Sequence, residues 1–194
     1  TRQFKLPGQD EANYGIETGL TFNDEIGRYW VLARNRWREF QQQNQREDVD
    51  NKAITVNDWL LPLLTKVFGY HVEVCHQKKT IGEREFPITH EAFAGAVPVV
   101  LCAFDMDLDK SDPLFGQEGS KRSIPGLAKE YIHAQTTSLW AIVSNGQVLR
   151  LLRDNPAMTR AAYLEVDFAR LFDEDSFADF ATLWLLLHAS RLEP

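Results

Sequence analysis

The sequence predicts an α/β protein: a mixed β-sheet flanked by helices, with further helical elements near both ends of the chain. Three observations carry the α/β part of that prediction. Ile26, Tyr29, Trp30, Ala33, Trp37 and Phe40 recur at spacings of three and four, the period of a helix with one buried face. Val97–Phe104, VPVVLCAF, is a continuous apolar run of strand length, suited to a central strand covered on both faces. Asn145-Gly146 sits between two apolar runs and reads as a hairpin, because both central residues of a type I′ turn need positive φ.

Taken in order, residues 1–22 hold Pro7, Gly8, Gly15 and Gly19 as breakers and read as irregular. From Asn23 a helix follows, with the aromatic face above and an opposite face rich in Arg, Gln and Asn. Asp48–Ala53 is polar and reads as a linker. Thr55-Val-Asn-Asp58 has the spacing of a capping box, so a second helix is expected to start at Thr55. It would bury Trp59, Leu60, Leu63, Leu64, Val67 and Phe68, carry Pro62 just past its first turn, and end at Gly69. His71–Cys75 and Arg84–Phe93 are strand candidates before Val97–Phe104. Asp105–Arg122 is a loop of Asp, Gly, Ser and Pro. Ser123 can cap a helix over Pro125–Gln135 with Leu127, Tyr131 and Ile132 inward. The hairpin Leu139–Arg153, a strand Ala162–Phe168 and helices complete the chain. The last helix, capped by Asp175, presents Phe177, Phe180, Leu183, Trp184 and Leu187 and reads as running to the final residue without a stop signal. The chain is therefore expected to be a fragment of a larger protein. Its expected division is 1–53, an irregular segment with an amphipathic helix, and 54–194, the α/β domain.

With 194 residues, 44% hydrophobic and 25% charged, the chain can bury the core of one soluble domain. A net charge of -7 argues against a large basic surface gripping nucleic acid, although Arg28, Arg34, Arg36 and Arg38 cluster on one helix. Cys75 and Cys102 make no disulfide framework and read as buried thiols, so a reducing cytoplasm is expected. No apolar run approaches the length of a bilayer span, and TRQFKLPGQDE is no signal peptide. No membrane partner is expected.

Four stretches carry a resemblance: WLLPLLTKVFGY, VPVVLCAFDMDLDK, SIPGLAKEYIHAQTTSLWAIVSNGQVLRLLRD, and YLEVDFARLF with FADFATLWLLLHASR. Together they resemble the N-terminal region of Eco57I-like adenine-specific DNA methyltransferases of bacterial restriction-modification and phage-defence systems, over most of Trp59–Arg191. The resemblance implies a restriction-endonuclease-like, nuclease-like fold of the PD-(D/E)XK type: a helix, a three-stranded meander, a crossover helix and a fourth strand. LAKEYIHA and LWAIVSNG look like the last two. It also implies DNA and other domains of a parent protein as partners. The cofactor S-adenosylmethionine would belong to a methyltransferase domain beyond Pro194, and none is expected here.

Fold alone confers no activity. An active nuclease of this class holds Mg²⁺ with an Asp on the second strand and an acid on the third, and a Lys two residues beyond that acid positions the attacking water. Around Leu101–Asp105 this chain reads Leu-Cys-Ala-Phe-Asp, and FPITHEAF on the second strand offers Glu91 but no Asp. Glu91, Asp105, Asp107 and Lys110 are the candidates for a displaced metal site, with Mg²⁺ as its cofactor. The preferred expectation is a degenerate domain with no assigned metal, serving DNA engagement or assembly. An active Mg²⁺-dependent endonuclease and a structural interaction module without DNA contact are the alternatives.

For nucleic-acid binding the candidates are Arg34 and Arg38, interleaved with Trp30 and Trp37, and Lys121, Arg122 and Lys129 at the crossover helix. The competing reading of the first pair is an amphipathic helix with core Trp and solvated Arg. Other motifs fail on spacing. Asp105-Met-Asp107-Leu-Asp109 lacks the Gly and Glu of an EF-hand, whose places hold Lys110 and Gly116. His71, Cys75 and His76 lack a second ligand pair for zinc, and no phosphate loop or nucleophile elbow occurs.

Overall fold

A computed structural model describes residues 10–116, 120–135, 137–153 and 162–193. Helix α1 spans Phe22–Asn44, and its start is a capping box. The Thr21 hydroxyl accepts from the Asp24 N–H, and the Asp24 carboxylate accepts from the Thr21 N–H at 2.9 Å. The predicted apolar stripe is the buried face: Ile26, Trp30, Ala33, Trp37 and Phe40. A short 3₁₀ turn, Glu11–Tyr14, precedes it in the segment read as irregular.

Helix α2 runs over residues 51–67 and corrects two expectations. It starts at Asn51, capped by Asp50, whose carboxylate accepts from the Lys52 and Ala53 N–H groups at 2.9 and 3.0 Å. Thr55 lies inside the helix and is buried. Its hydroxyl donates back to the Asn51 carbonyl at 2.6 Å and accepts from the Phe104 N–H at 3.2 Å. Helix-interior Thr commonly bonds backward in this way, which is why the local motif imitated a cap. The boundary expected at 53/54 falls within this helix. Ile54–Leu60 and Leu63–Val67 on either side of Pro62 are π-helical, with Leu61 N–H donating to the Val56 carbonyl and Phe68 N–H to the Leu63 carbonyl. The wider register lets the proline ring, which has no N–H and would crowd the carbonyl four residues back, sit in mid-helix. Gly69, at φ 78°, ends the helix as expected.

The strands are β1 Val72–Val74, β2 Lys79–Ile81, β3 Arg84–Phe86, β4 His90–Ala92, β5 Val97–Leu101, β6 Trp140–Ser144, β7 Val148–Arg153 and β8 Ala162–Asp167. Six form one mixed sheet in the order β1-β4-β5-β6-β7-β8, in which β5 and β6 are parallel and every other pair is antiparallel. Strands β2 and β3 make a separate hairpin; the sequence reading left β2 unassigned and joined β3 to β4 as one candidate, Arg84–Phe93. Helix α3, Ile124–Ala134, crosses from β5 to β6 and is capped by Ser123 as expected. Helices α4, Phe168–Asp173, and α5, Phe177–Leu187, follow β8. The last helix starts after Ser176, not Asp175, which sits at φ 55°; it ends at Leu187, before a 3₁₀ turn at Ala189–Arg191. Phe177 is exposed, while Phe180, Leu183, Trp184 and Leu187 are buried.

Strand β5 is buried throughout and separates two apolar clusters. On one face Val97, Val99 and Leu101 meet α1, α2, α4 and α5; on the other Val100 and Cys102 meet α3 and Phe86. The first cluster is dominated by Trp30, Trp37, Trp59, Phe168, Phe172 and Phe180. Two of its indoles find carbonyl partners: Trp59 Nε1 donates to Gly146 O at 2.9 Å and Trp184 Nε1 to Val67 O at 2.8 Å. No described helix is long and apolar enough to cross a membrane.

The β6–β7 turn differs from the expected type I′. Of Asn145 and Gly146, only Gly146 has positive φ, at 84°. The Asn145 side chain accepts from the Gln147 and Val148 N–H groups and donates to the Met106 carbonyl, so it folds a longer loop and ties it to the segment after β5. A Cβ on Gly146 would stand 2.5 Å from Thr55 Cγ2, which leaves the α2 surface room for no other residue.

Candidate functional site

Where an acid-x-Lys pair would stand at the exit of β5, Leu101 and Cys102 are buried, and Ala103 follows. Burial pushes the Cys102 thiol up to about 12, consistent with an inert core thiol. Glu91 of β4 lies beside α3, its carboxylate 2.5 Å from Lys79 Nζ, in a cavity of about 350 Å³ that Tyr131 and Gln135 also line. Asp105 and Asp107 line a different cavity of about 400 Å³ after β5. There the Asp107 carboxylate accepts from the Asp109 N–H at 2.9 Å, and Asp109 is held by both terminal nitrogens of Arg150 at 2.6 and 2.8 Å. Lys110 is exposed in the same loop. Glu91 is thus not brought to Asp105, Asp107 and Lys110. Among the described residues no group of three His, Cys, Asp or Glu side chains is placed to hold a metal ion.

The basic candidates lie on opposite faces of the sheet, Arg34 and Arg38 on α1, and Lys121, Arg122 and Lys129 at α3. Trp30 and Trp37 are only 8% and 3% exposed, so they cannot stack on bases. The stacking proposal for this helix is overturned: a continuous aromatic core claims the indoles. Arg34 pairs with Asp175 and Arg122 with Glu130; Arg38, Lys121 and Lys129 are exposed.

A third arrangement escaped the sequence reading. The first turns of α2, the segment after β1 and the residues leading into β4 enclose a cleft of about 550 Å³. His90 lines it and is 6% exposed. The Thr89 hydroxyl beside it donates to the Val99 carbonyl at 3.1 Å and accepts from the Leu101 N–H at 2.9 Å. When the Thr89 proton goes to Val99, Thr89 Oγ1 is an acceptor for His90 Nδ1, 2.9 Å away. In that arrangement the proton sits on Nδ1 and Nε2 presents a lone pair. Burial, and then the charge of nearby Lys52, lowers the imidazole pKa to about 4 and keeps it neutral at physiological pH. Nothing in the sequence flags His90, because its partners are fixed by strand register with β5, at Val99 and Leu101.

No family model, no curated protein and no solved structure matches this chain.

Proposed function

We propose that this chain is a nuclease-like domain of a DNA restriction-modification or phage-defence protein, degenerate in phosphodiester cleavage and serving DNA engagement or assembly with other domains. The observation that carries this reading is the apolar Leu101-Cys102-Ala103 run at the exit of β5, buried at Leu101 and Cys102. It is supported by the order in which the elements meet. Helix α2, the antiparallel meander β1-β4-β5, the crossover α3 and the parallel β6 follow the sequence of parts that the resemblance implies. An acid at that exit would help hold the cation that stabilises the phosphoryl transition state, and Leu101-Cys102-Ala103 supplies none.

The test is incubation of the purified chain with supercoiled plasmid and Mg²⁺ or Mn²⁺. The expected result is no nicking; cleavage abolished by Asp105→Ala or Glu91→Ala would overturn the degenerate reading. Duplex binding should weaken steeply with salt. A second reading, an interaction module without DNA contact, draws on the pairing of Arg34 with Asp175 and Arg122 with Glu130, which neutralises two of the five basic candidates. Absent duplex binding at low salt would favour it.

A further inference from the structure

We infer that the cleft beneath the start of α2 is a binding site for a nucleoside monophosphate whose base donates a hydrogen bond to His90 Nε2. The inference stands on the cleft's own chemistry and does not need the nuclease reading.

The buried imidazole is the specific element. Its Nδ1–H is committed to Thr89, and among the described residues no donor meets Nε2. Nor is Nε2 among the enclosed polar atoms left without a partner, which are Gln43 Oε1 and Asn44 Oδ1, so it opens on the cleft that the ring lines. A neutral imidazole lone pair facing the cleft is matched by an N–H or O–H donor and not by an anion. No group of three metal-ligating side chains accompanies it among the described residues.

The walls define the rest of the ligand. Val56, Val74, Pro87 and Leu101 offer apolar surface on which a flat ring can lie, and the cleft volume falls within the usual span for small-molecule sites. Lys52 stands at the rim, close enough for its charge to act on His90. Asp50, the acid beside it, is occupied in capping the helix. A planar base with an exocyclic amine toward His90 and a phosphate toward Lys52 satisfies the donor, the apolar walls and the cation at once.

The test uses adenosine 5′-monophosphate, with histidine side-chain nitrogen NMR on the unaltered protein and calorimetry. At neutral pH the His90 Nε2 resonance should be that of an unprotonated nitrogen, and it should move saturably upfield as nucleotide is added. Purine riboside 5′-monophosphate, which lacks the amine, should bind about tenfold more weakly, the value of one hydrogen bond. His90→Phe should lose a similar factor. Lys52→Ala should weaken the monophosphate and leave adenosine unchanged. A His90 signal that stays put at saturating nucleotide, ribose 5-phosphate binding as well as the nucleotide, or calorimetry showing no binding would each overturn the inference. None of these outcomes touches the plasmid and duplex tests above.

Discussion

Arg150 shows how far a residue's role can lie from its neighbours in sequence. On β7 its guanidinium grips Asp109, bonds to Glu165 at 2.6 Å and lies 5.0 Å over the Tyr163 ring, with its own side chain 10% exposed. This arrangement lowers the Asp109 pKa, chiefly through the hydrogen bonds from Arg150. Read locally, Asp105, Asp107 and Asp109 form an acidic run with the look of a cation loop. The partner 41 residues away, which gives that loop its purpose, carries no signal in the run itself. Arg150→Ala should cost about 1 kcal/mol in urea denaturation, since the two carboxylates that lose their donor are 70% and 44% exposed and water takes its place. A loss below about 0.5 kcal/mol would place the cluster with ordinary surface pairs. Two histidines, His90 buried and His188 half-buried, set the acid limit. Burial, with Lys52 near His90 and Arg191 near His188, lowers both to about 4 from an unfolded value near 6.5. Both rings are neutral in the fold and take up protons more readily when unfolded. Their contribution is therefore complete above about pH 6.5 and is lost as pH falls toward 4. Each should remove up to about 2 kcal/mol between pH 7 and pH 5. Equal urea midpoints at those two pH values would refute this.

At the scale of elements, α2 tests how well caps can be located. Thr21-x-x-Asp24 and Thr55-x-x-Asp58 have the same spacing, and only the first caps a helix. The difference is burial: Thr55 faces Gly146 and Phe104, contacts made by distant segments, whereas Thr21 meets only its own turn. Asp50→Ala should therefore destabilise the protein by about 1 kcal/mol and Asp58→Ala by less than about 0.5. Thermal denaturation of the two variants decides it, and the reverse order would restore the start at Thr55. The apolar stripes of α1, α2 and α3 and the wholly buried β5 were legible, because periodicity reports one-sided or two-sided burial directly. The hairpin β2–β3 was not: Lys79–Ile81 and Arg84–Phe86 are three residues each, too short to show alternation, and Phe86 is the one fully buried anchor.

Across the whole molecule, the aromatic face of α1 and the last helices complete one core. Trp37 donates to Asp173 at 3.0 Å, Trp30 stacks on Phe172, and the Tyr14 hydroxyl reaches the Leu185 carbonyl at 2.9 Å. That closure could not be read from the chain, where each stripe announces only that something must cover it. A version beginning at Asp50 should fail to fold, showing weak near-ultraviolet dichroism and binding a hydrophobic dye, because Trp59, Phe172 and Phe180 would lose their cover. A cooperative unfolding transition from that shortened chain would show that α1 is dispensable. The candidate cleft was equally hidden, since it forms where α2 meets β4 and depends on a tautomer set by two backbone groups of β5. The same closure has a temporal side during synthesis. Trp37 leaves the ribosome 136 residues before the Asp173 that receives its indole, an interval of roughly 7 to 27 s at ordinary translation speeds. For that time a stripe of Trp and Phe has only α2, through Trp59, to lie against, and its side toward α4 and α5 stays uncovered. Nascent chains stalled before Phe168 should recruit a holding chaperone, and release past Leu187 should dismiss it.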